Sequence, residues 1–309
     1  MSFARAEFFL HLATSTTSML IYILSRGPKL YSTKRIYKAA VAKGHTVRVI
    51  DHMECDLLIE KGQFKVVYNE EILAKPDFII PRIGSSVTFY GSTVVRHFEQ
   101  MGVQTLNNSS SILNSRDKFR SLQFLAANGI QIPTTYFSND LFYAKKIVQN
   151  KLGYPFIIKV LEGTQGLGVY LVKDEENGTE VLSHFMEKKT KIMLQQYIEE
   201  FSGKDVRVFV VGNKIVATMM RIAGGDDFRS NLHRGGRGEK VELTPDEKDM
   251  ALKAVKALDL QVAGVDILRS KKGPMIIEVN SSPGLEGIER VSEEPIAEAI
   301  IELLDKLKT

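Results

Sequence analysis

Toward its C-terminal end the chain runs Gly264-Val-Asp-Ile-Leu-Arg-Ser-Lys-Lys-Gly-Pro-Met-Ile-Ile-Glu-Val-Asn-Ser-Ser-Pro-Gly-Leu-Glu-Gly287. Two apolar runs, residues 262–268 and 275–279, flank a turn at residues 271–273, so this stretch predicts a β-hairpin. Three of its groups are foreign to a core: Asp266, Glu278 and Asn280. Glu278 and Asn280 are two residues apart and share one face of a strand. A hairpin brings Asp266 beside them. Two carboxylates and an amide are hard oxygen donors, a set that suits Mg2+ completed by phosphate oxygens and water. A solvated sheet face with an Asx turn at Asn280 accounts for the same spacing.

Upstream, residues 19–106 alternate strand and helix. Residues 20–24, 46–50, 64–68, 78–80 and 104–106 read as strands, and residues 32–43 and 88–101 as helices. Ser32 is the expected N-cap of the first helix and Gly44 its stop. This rhythm implies a mainly parallel, helix-covered sheet. The first strand leads into Ser25-Arg26-Gly27-Pro28, which lacks the glycine fingerprint of a dinucleotide-binding turn. After a polar, capping-rich segment at residues 107–111, helices are expected over residues 115–128 and 140–150. Strands are expected over residues 154–160 and 169–172, then a helix over 176–188 and a strand over 192–197. Residues 205–211 and 214–220 form a hairpin turned at Gly212-Asn213. A long polar loop spans residues 224–240. A helix over 244–258 opens on a Thr-Pro-Asp cap, and a last amphipathic helix covers residues 294–307.

The chain has 309 residues, enough for about two domains with substantial cores. A net charge of +4 without a long basic tract points weakly to an acidic substrate and does not form a nucleic-acid signature. Cys55 is the only cysteine, which excludes an intramolecular disulfide framework and a Cys-rich zinc site. No apolar run is long enough to span a membrane. Residues 1–18 carry Arg5, His11 and a Thr/Ser run. They suit a dispensable extension ahead of Met19 better than a secretory leader.

Lys159 interrupts an apolar strand and is followed by Glu162-Gly-Thr-Gln-Gly-Leu-Gly168. A lysine beside Gly163, Gly166 and Gly168 suits a phosphate clamp, because glycines let backbone N–H groups approach phosphate oxygens closely. An edge strand with its ammonium in water is the simpler alternative. Gln195-Gln-Tyr-Ile198 closes a strand ahead of Glu199-Glu200, where the backbone suits an adenine and a carboxylate suits a ribose, or where the strand simply ends in a solvated acidic tail. The loop Asp226-Asp-Phe-Arg-Ser-Asn-Leu-His-Arg-Gly-Gly236 is dense in donors. Such donors suit carboxylates and a transferring phosphoryl group.

Pro81-Arg-Ile-Gly84, Thr88-Phe-Tyr-Gly91, Arg116-Asp-Lys118, the run Lys159 to Gly168, the run Asp227 to Gly236, Gly264-Val-Asp266 and the run Glu278 to Gly287 occur in this order. Together they resemble the ATP-grasp superfamily, and within it the RimK-type alpha-L-glutamate ligases, which modify the C-terminus of a small-subunit ribosomal protein. The resemblance covers residues 19–309. It implies an α/β and α+β architecture: an ATP-grasp fold at residues 116–309, in two α+β subdomains that clamp ATP. A Rossmann-like pre-ATP-grasp domain at residues 19–115 precedes it, with residues 1–18 outside the match.

By the same resemblance Lys118 and Lys159 hold phosphates under a flap carrying Gly163, Gly166 and Gly168. Gln196 and Tyr197 meet the adenine and Asp205 the ribose side. Arg229, Ser230 and Asn231 face the phosphates and the acceptor carboxylate, and Arg229, Asn231 and Arg234 are the expected catalytic residues. Asp266, Glu278 and Asn280 bind two Mg2+ or Mn2+ ions. The family often has Glu where this chain has Gln196. The implied reaction joins L-glutamate to a protein C-terminus through an acylphosphate, in the cytoplasm. A homotetramer is implied, with no direct nucleic-acid or membrane partner. A small-molecule carboxylate acceptor, poly-alpha-glutamate synthesis, and a non-catalytic ATP-binding module are the alternatives. A nicotinamide oxidoreductase is disfavoured by the missing glycine fingerprint.

Overall fold

The structure, a computed structural model, describes residues 18–137, 143–161, 168–225, 227–230 and 235–308. It begins with β1 (Leu20–Leu24), α1 (Tyr31–Ala42), β2 (Thr46–Ile50), the strands β3 (Cys55–Glu60), β4 (Gln63–Tyr68) and β5 (Glu71–Ile72), and β6 (Phe78–Pro81). α2 (Thr88–Gln100) and β7 (Gln104–Thr105) complete the first sheet, whose order β2-β1-β6-β7 is parallel throughout. β1 is an almost unbroken apolar run because it lies between two strands and is covered on both faces. β3, β4 and β5 form a separate antiparallel meander. Only its middle strand was expected, because Leu58, Ile59 and Ile72 stand exposed and blur the alternation.

Ser32 is not the cap of α1. That helix starts one residue earlier, with Leu30 at the N-cap position, and the Ser32 hydroxyl accepts a hydrogen bond from the Leu285 N–H at 3.0 Å. Gly44 does end the turn after the helix, with φ at +86° where other residues are strained. The helix expected over residues 115–128 is two helices, α3 (Ser109–Arg116) and α4 (Lys118–Ala127). Asn108 caps the first by accepting from Ser111 N at 2.7 Å. Asp117 caps the second by accepting from Phe119 N and Arg120 N at 3.1 and 3.0 Å.

The second sheet contains β8 (Thr135–Phe137), β9 (Phe156–Val160), β10 (Val169–Val172) and β11 (Ile192–Gln196) in the order β10-β9-β11-β8, all antiparallel. α5 (Ala144–Ile147) and α6 (Glu175–Glu187) cover one face, packing Ala144, Leu182 and Phe185 against Phe156 and Ile158. Ile157 and Lys159 therefore point the other way.

The third sheet has five antiparallel strands: β12 (Lys204–Val211), β13 (Lys214–Ile222), β14 (Arg237–Glu239), β15 (Val262–Ser270) and β16 (Gly273–Asn280), ordered β14-β13-β12-β15-β16. Val206, Val208 and Val210 face α4 and α7 (Pro245–Ala257) in one core. α7 starts with a capping box in which Thr244 Oγ1 accepts from Glu247 N at 3.2 Å and Glu247 Oε2 accepts from Thr244 N at 2.8 Å. The opposite face changes character along the strands. Phe209, Val211, Ala217 and Met219 lie in a core shared with β1, α8 (Glu286–Ser292) and α9 (Ile296–Lys308), whereas Asp205 and Arg207 occupy the same face farther along β12. Asn107 joins the first domain to this sheet. Its amide donates to Val262 O and Ser281 O at 2.8 Å each and accepts from Gln261 N and Val262 N at 2.8 and 3.1 Å.

Candidate active site in the cleft between two sheets

Cross-strand register builds the site. Arg207 lies opposite Asp266 and Asp266 opposite Glu278, so a row of charge crosses β12, β15 and β16, and the facing pair Asp205 and Arg221 lies two residues along on the same face of β12 and β13. Gly264 lies opposite Asn280, one step along the same face. The ladder slips between Asp266 and Ile267, a β-bulge of the kind that re-aims a side chain beside a site.

Arg207 grips Asp266 through Nε and Nη2, both at 2.7 Å, and Arg221 Nη2 adds a third bond at 2.7 Å. Arg221 also makes a fork to both oxygens of Asp205 at 2.6 Å, and Ser230 Oγ donates to Asp205 at 2.5 Å. Burial disfavours a charged Asp266, but the two guanidiniums hold its carboxyl below the usual carboxylate range. Burial likewise works against Arg221, and Asp266 and Asp205 more than reverse it.

Lys159, on the face of the second sheet turned away from its helices, looks across at this row. Burial lowers the pKa of its ammonium; Glu278 and Asp266 pull it up, and Lys118 pushes it down. Glu278, Asp266 and Lys118 therefore each lie within electrostatic reach of Lys159. Lys118, in the first turn of α4, donates to Leu161 O at 3.5 Å, which places it beside the end of β9. A cavity of about 800 Å3 opens next to Lys118, lined also by Phe119, Phe137, Leu161 and Lys191; it does not reach Asp266 or Glu278.

The other expected site residues are placed as follows. Gln196 is tied to the start of β8: its side-chain oxygen accepts from Thr134 N at 3.3 Å, and its N–H donates to Thr134 O at 2.8 Å. The Tyr197 hydroxyl bonds that of Ser202. Asp205 is turned inward to Arg221 and Ser230. Arg229 makes a fork to Asp227 at 2.9 and 3.0 Å and lies 5.3 Å over the Phe228 ring. Gly168 is a glycine for a steric reason, since a Cβ there would stand 2.9 Å from Val160 Cβ. Gly163, Gly166, Asn231 and Arg234 lie outside the described residues.

Could the site hold Mg2+? Among the described residues no cluster of three His, Cys, Asp or Glu side chains is present. Two carboxylates and an amide remain, which is the donor chemistry of a hard ion that keeps waters or phosphate oxygens. Glu278 is exposed and has no hydrogen bond or ion pair among the described residues. Asn280 Oδ1 accepts from Ser282 N at 2.9 Å, and Asp266 accepts three bonds of the roughly four its two oxygens can take. Each group keeps acceptor capacity, so the donor set fits.

A model of the RimK-like ATP-grasp domain matches residues 115–304, and one of the RimK pre-ATP-grasp domain matches residues 19–112. The chain belongs to the RimK-like ATP-grasp family. It is an enzyme of the ligase class, with the ATP-grasp fold behind a pre-ATP-grasp domain. It is 49% identical over 288 residues to a "Probable alpha-L-glutamate ligase" of Coxiella burnetii, covering 93% of this chain and 96% of that one. A "Probable alpha-L-glutamate ligase 2" of Shewanella sp. MR-4 matches at the same identity and coverage. Among solved structures, the ATP-grasp ligase PsnB with a minimal precursor superposes with a TM-score of 0.72 at 18% identity, over 94% of this chain and 99% of that one. A RimK domain ATP-grasp protein of Sphaerobacter thermophilus gives 0.67 at 18% identity, over 92% and 98%. These two likenesses concern the fold.

The sequence reading did not assign Arg207 or Arg221 to the family's site. A signal was present: Asp205 and Arg207 alternate with Val206 and Val208 on one strand, and Arg221 is the penultimate residue of its partner. Alternating charge on paired strands marks a polar face.

Proposed function

We propose that this ATP-grasp ligase joins L-glutamate to the C-terminal carboxylate of a small-subunit ribosomal protein in the cytoplasm. The observation that carries the reading is that Glu278, Asp266 and Lys118 all lie within electrostatic reach of Lys159. Lysines suited to polyphosphate face carboxylates suited to a hard cation, and neither sheet supplies both. The names of the Coxiella and Shewanella relatives support glutamate as the amine.

In the reaction, the γ-phosphoryl group of ATP passes to the acceptor carboxylate, and the bond to ADP breaks. The glutamate amine then attacks the acyl carbon of the acylphosphate, phosphate leaves with the C–O bonding pair, and the amine gives up a proton to form the amide. Mg2+, or Mn2+, held as one or two ions by Asp266, Glu278 and Asn280, would neutralise charge on the transferring group. Lys159 and Lys118 fix the phosphates against the second sheet. Arg207 and Arg221 orient Asp266, while Asp205 keeps Arg221 in place. Gln196 and Tyr197 are the assigned adenine contacts, and Arg229, Ser230, Asn231 and Arg234 the assigned contacts to the phosphates and acceptor. No nucleophilic side chain is required.

The test is ADP release with Mg2+, ATP and L-glutamate, with and without the ribosomal protein, followed by mass spectrometry of that protein. Mass steps of one glutamyl residue at its C-terminus are expected. Glutamate-dependent ADP release with the ribosomal protein unchanged would move the acceptor to a small carboxylate or to glutamate itself. Absence of ADP release would refute the ligation reading.

A further inference from the structure

Arg82 directly follows β6, and Arg116 is the last residue of α3. Each is anchored to a carbonyl across the junction of the two domains. Arg82 donates from Nη2 to Pro283 O at 2.6 Å, and Arg116 donates from Nη2 to Ile83 O at 2.6 Å. Neither guanidinium forms an ion pair among the described residues, and the Nε of Arg116 is buried without a hydrogen-bond partner. A guanidinium offers five N–H donors, so most of this donor capacity is uncommitted.

Such an arrangement is costly by itself. Both side chains are half-buried, charges withdrawn from water are normally paired, and here two like charges are neighbours. Burial, with Arg116 beside it, pushes Arg82 down to about 10; burial also lowers Arg116, opposed by Glu278. Capping two carbonyls does not need two charged forks. A planar anion between them does, because the fork geometry matches a carboxylate.

We propose that Arg82 and Arg116 together form a binding site for a substrate carboxylate, at the junction of the two domains near Glu278. This rests on the ligase reading above and adds to it the place where one carboxylate-bearing substrate is held. Its surroundings differ from those of the polyphosphate lysines: Arg116 lies within electrostatic reach of Glu278 and Arg82, whereas Lys159 lies within reach of Glu278, Lys118 and Asp266. Arg82 also stands at the C-terminal edge of the parallel sheet, the edge at which open α/β sheets receive ligands. The carboxylate belongs either to L-glutamate or to the acceptor, and the two are separable by experiment.

The experiment is calorimetric titration of the full chain, with ADP and Mg2+ present. The probes are L-glutamate and a short peptide with a free C-terminal carboxylate; its amidated form is the control. Arg82→Gln and Arg116→Gln remove the charge yet leave a donor for Pro283 O and Ile83 O. Each is expected to weaken one probe about 10- to 100-fold, the usual effect of losing a charge-assisted contact, with ADP affinity unchanged. The probe that weakens identifies the substrate. Unchanged affinities, a parallel loss of ADP affinity, or wild-type protein that binds neither probe would overturn the proposal. If the Gln variants lose their cooperative melt, Arg82→Lys and Arg116→Lys decide: weakened probe binding in a folded Lys variant supports it, and wild-type binding overturns it. Arginine-dependent probe binding without any ADP release would remove the ligase reading and leave the carboxylate site standing. ADP release with probe binding indifferent to both arginines would do the reverse.

Discussion

Replacing Asp266 with Asn tests the charged row directly. Asp266 is 3% exposed and accepts three charge-assisted bonds at 2.7 Å, two from Arg207 and one from Arg221. Asn keeps one acceptor oxygen and turns an NH2 toward a guanidinium. Arg221 keeps its fork to Asp205, so the greater loss falls on Arg207. Breaking a buried pair from one side costs about 3–5 kcal/mol; because the Arg207 side chain is 14% exposed and reaches water, the lower end, about 3 kcal/mol, is expected. Urea unfolding at pH 7 measures this as a lower midpoint at unchanged slope. The pH dependence gives a second check. The folded carboxyl is held below its unfolded value of about 3.9, so its stabilisation is full above that pH and is lost as pH falls through the lower folded value. The gap between wild type and variant should therefore narrow below about pH 4. A variant within about 0.5 kcal/mol of wild type at pH 7 would refute the claim that Arg207 and Asp266 are bound as a pair.

Glu278→Gln should separate activity from stability: it is exposed and unpartnered among the described residues, so the urea midpoint should hold while ADP release falls about 100-fold or more. Equal wild-type turnover would remove Glu278 from the chemistry. Asn107→Ala strips two carbonyls and two N–H groups of their partner, and about 3 kcal/mol of lost stability is expected in a urea melt. Glu247→Gln should cost about 1–2 kcal/mol at pH 7 by weakening the Thr244 cap and the 2.6 Å bond from Arg269. Burial raises the Glu247 pKa, but Arg269 and Thr244 hold it lower overall, so its stabilisation is present above the unfolded value of about 4.3 and fades as pH falls through the folded one. Melts at pH 7 and pH 3 should show the larger difference at the first.

The parts of this molecule legible in the sequence are those decided by neighbours along the chain. The Thr244 capping box, the Gly44 stop and the hairpin that carries Asp266, Glu278 and Asn280 all follow from local spacing. The break at Asp117 was missed because good helix formers stand on both sides of it, and only the backbone turn shows that its carboxylate caps a second helix. The pairing of Arg207 with Asp266 joins residues 59 apart in sequence. It depends on strand register, which is a tertiary outcome. Arg82 and Arg116 were visible as letters of family motifs, but their lack of a counter-ion became visible only with the domains packed together.

The core shared by β1, α1 and α9 has a consequence for synthesis. Ile21, Ile23 and Ile36 pack in one cluster with Ile296, Ile300, Ile301 and Leu304. While the ribosome makes the roughly 200 residues between β7 and α9, this face of the first domain lacks the cover that α9 gives it. At about 5–20 residues per second, that is roughly 10–40 s. During that interval the nascent chain presents a greasy surface to the cell, and a holdase that binds apolar segments would find its target there rather than in the finished enzyme.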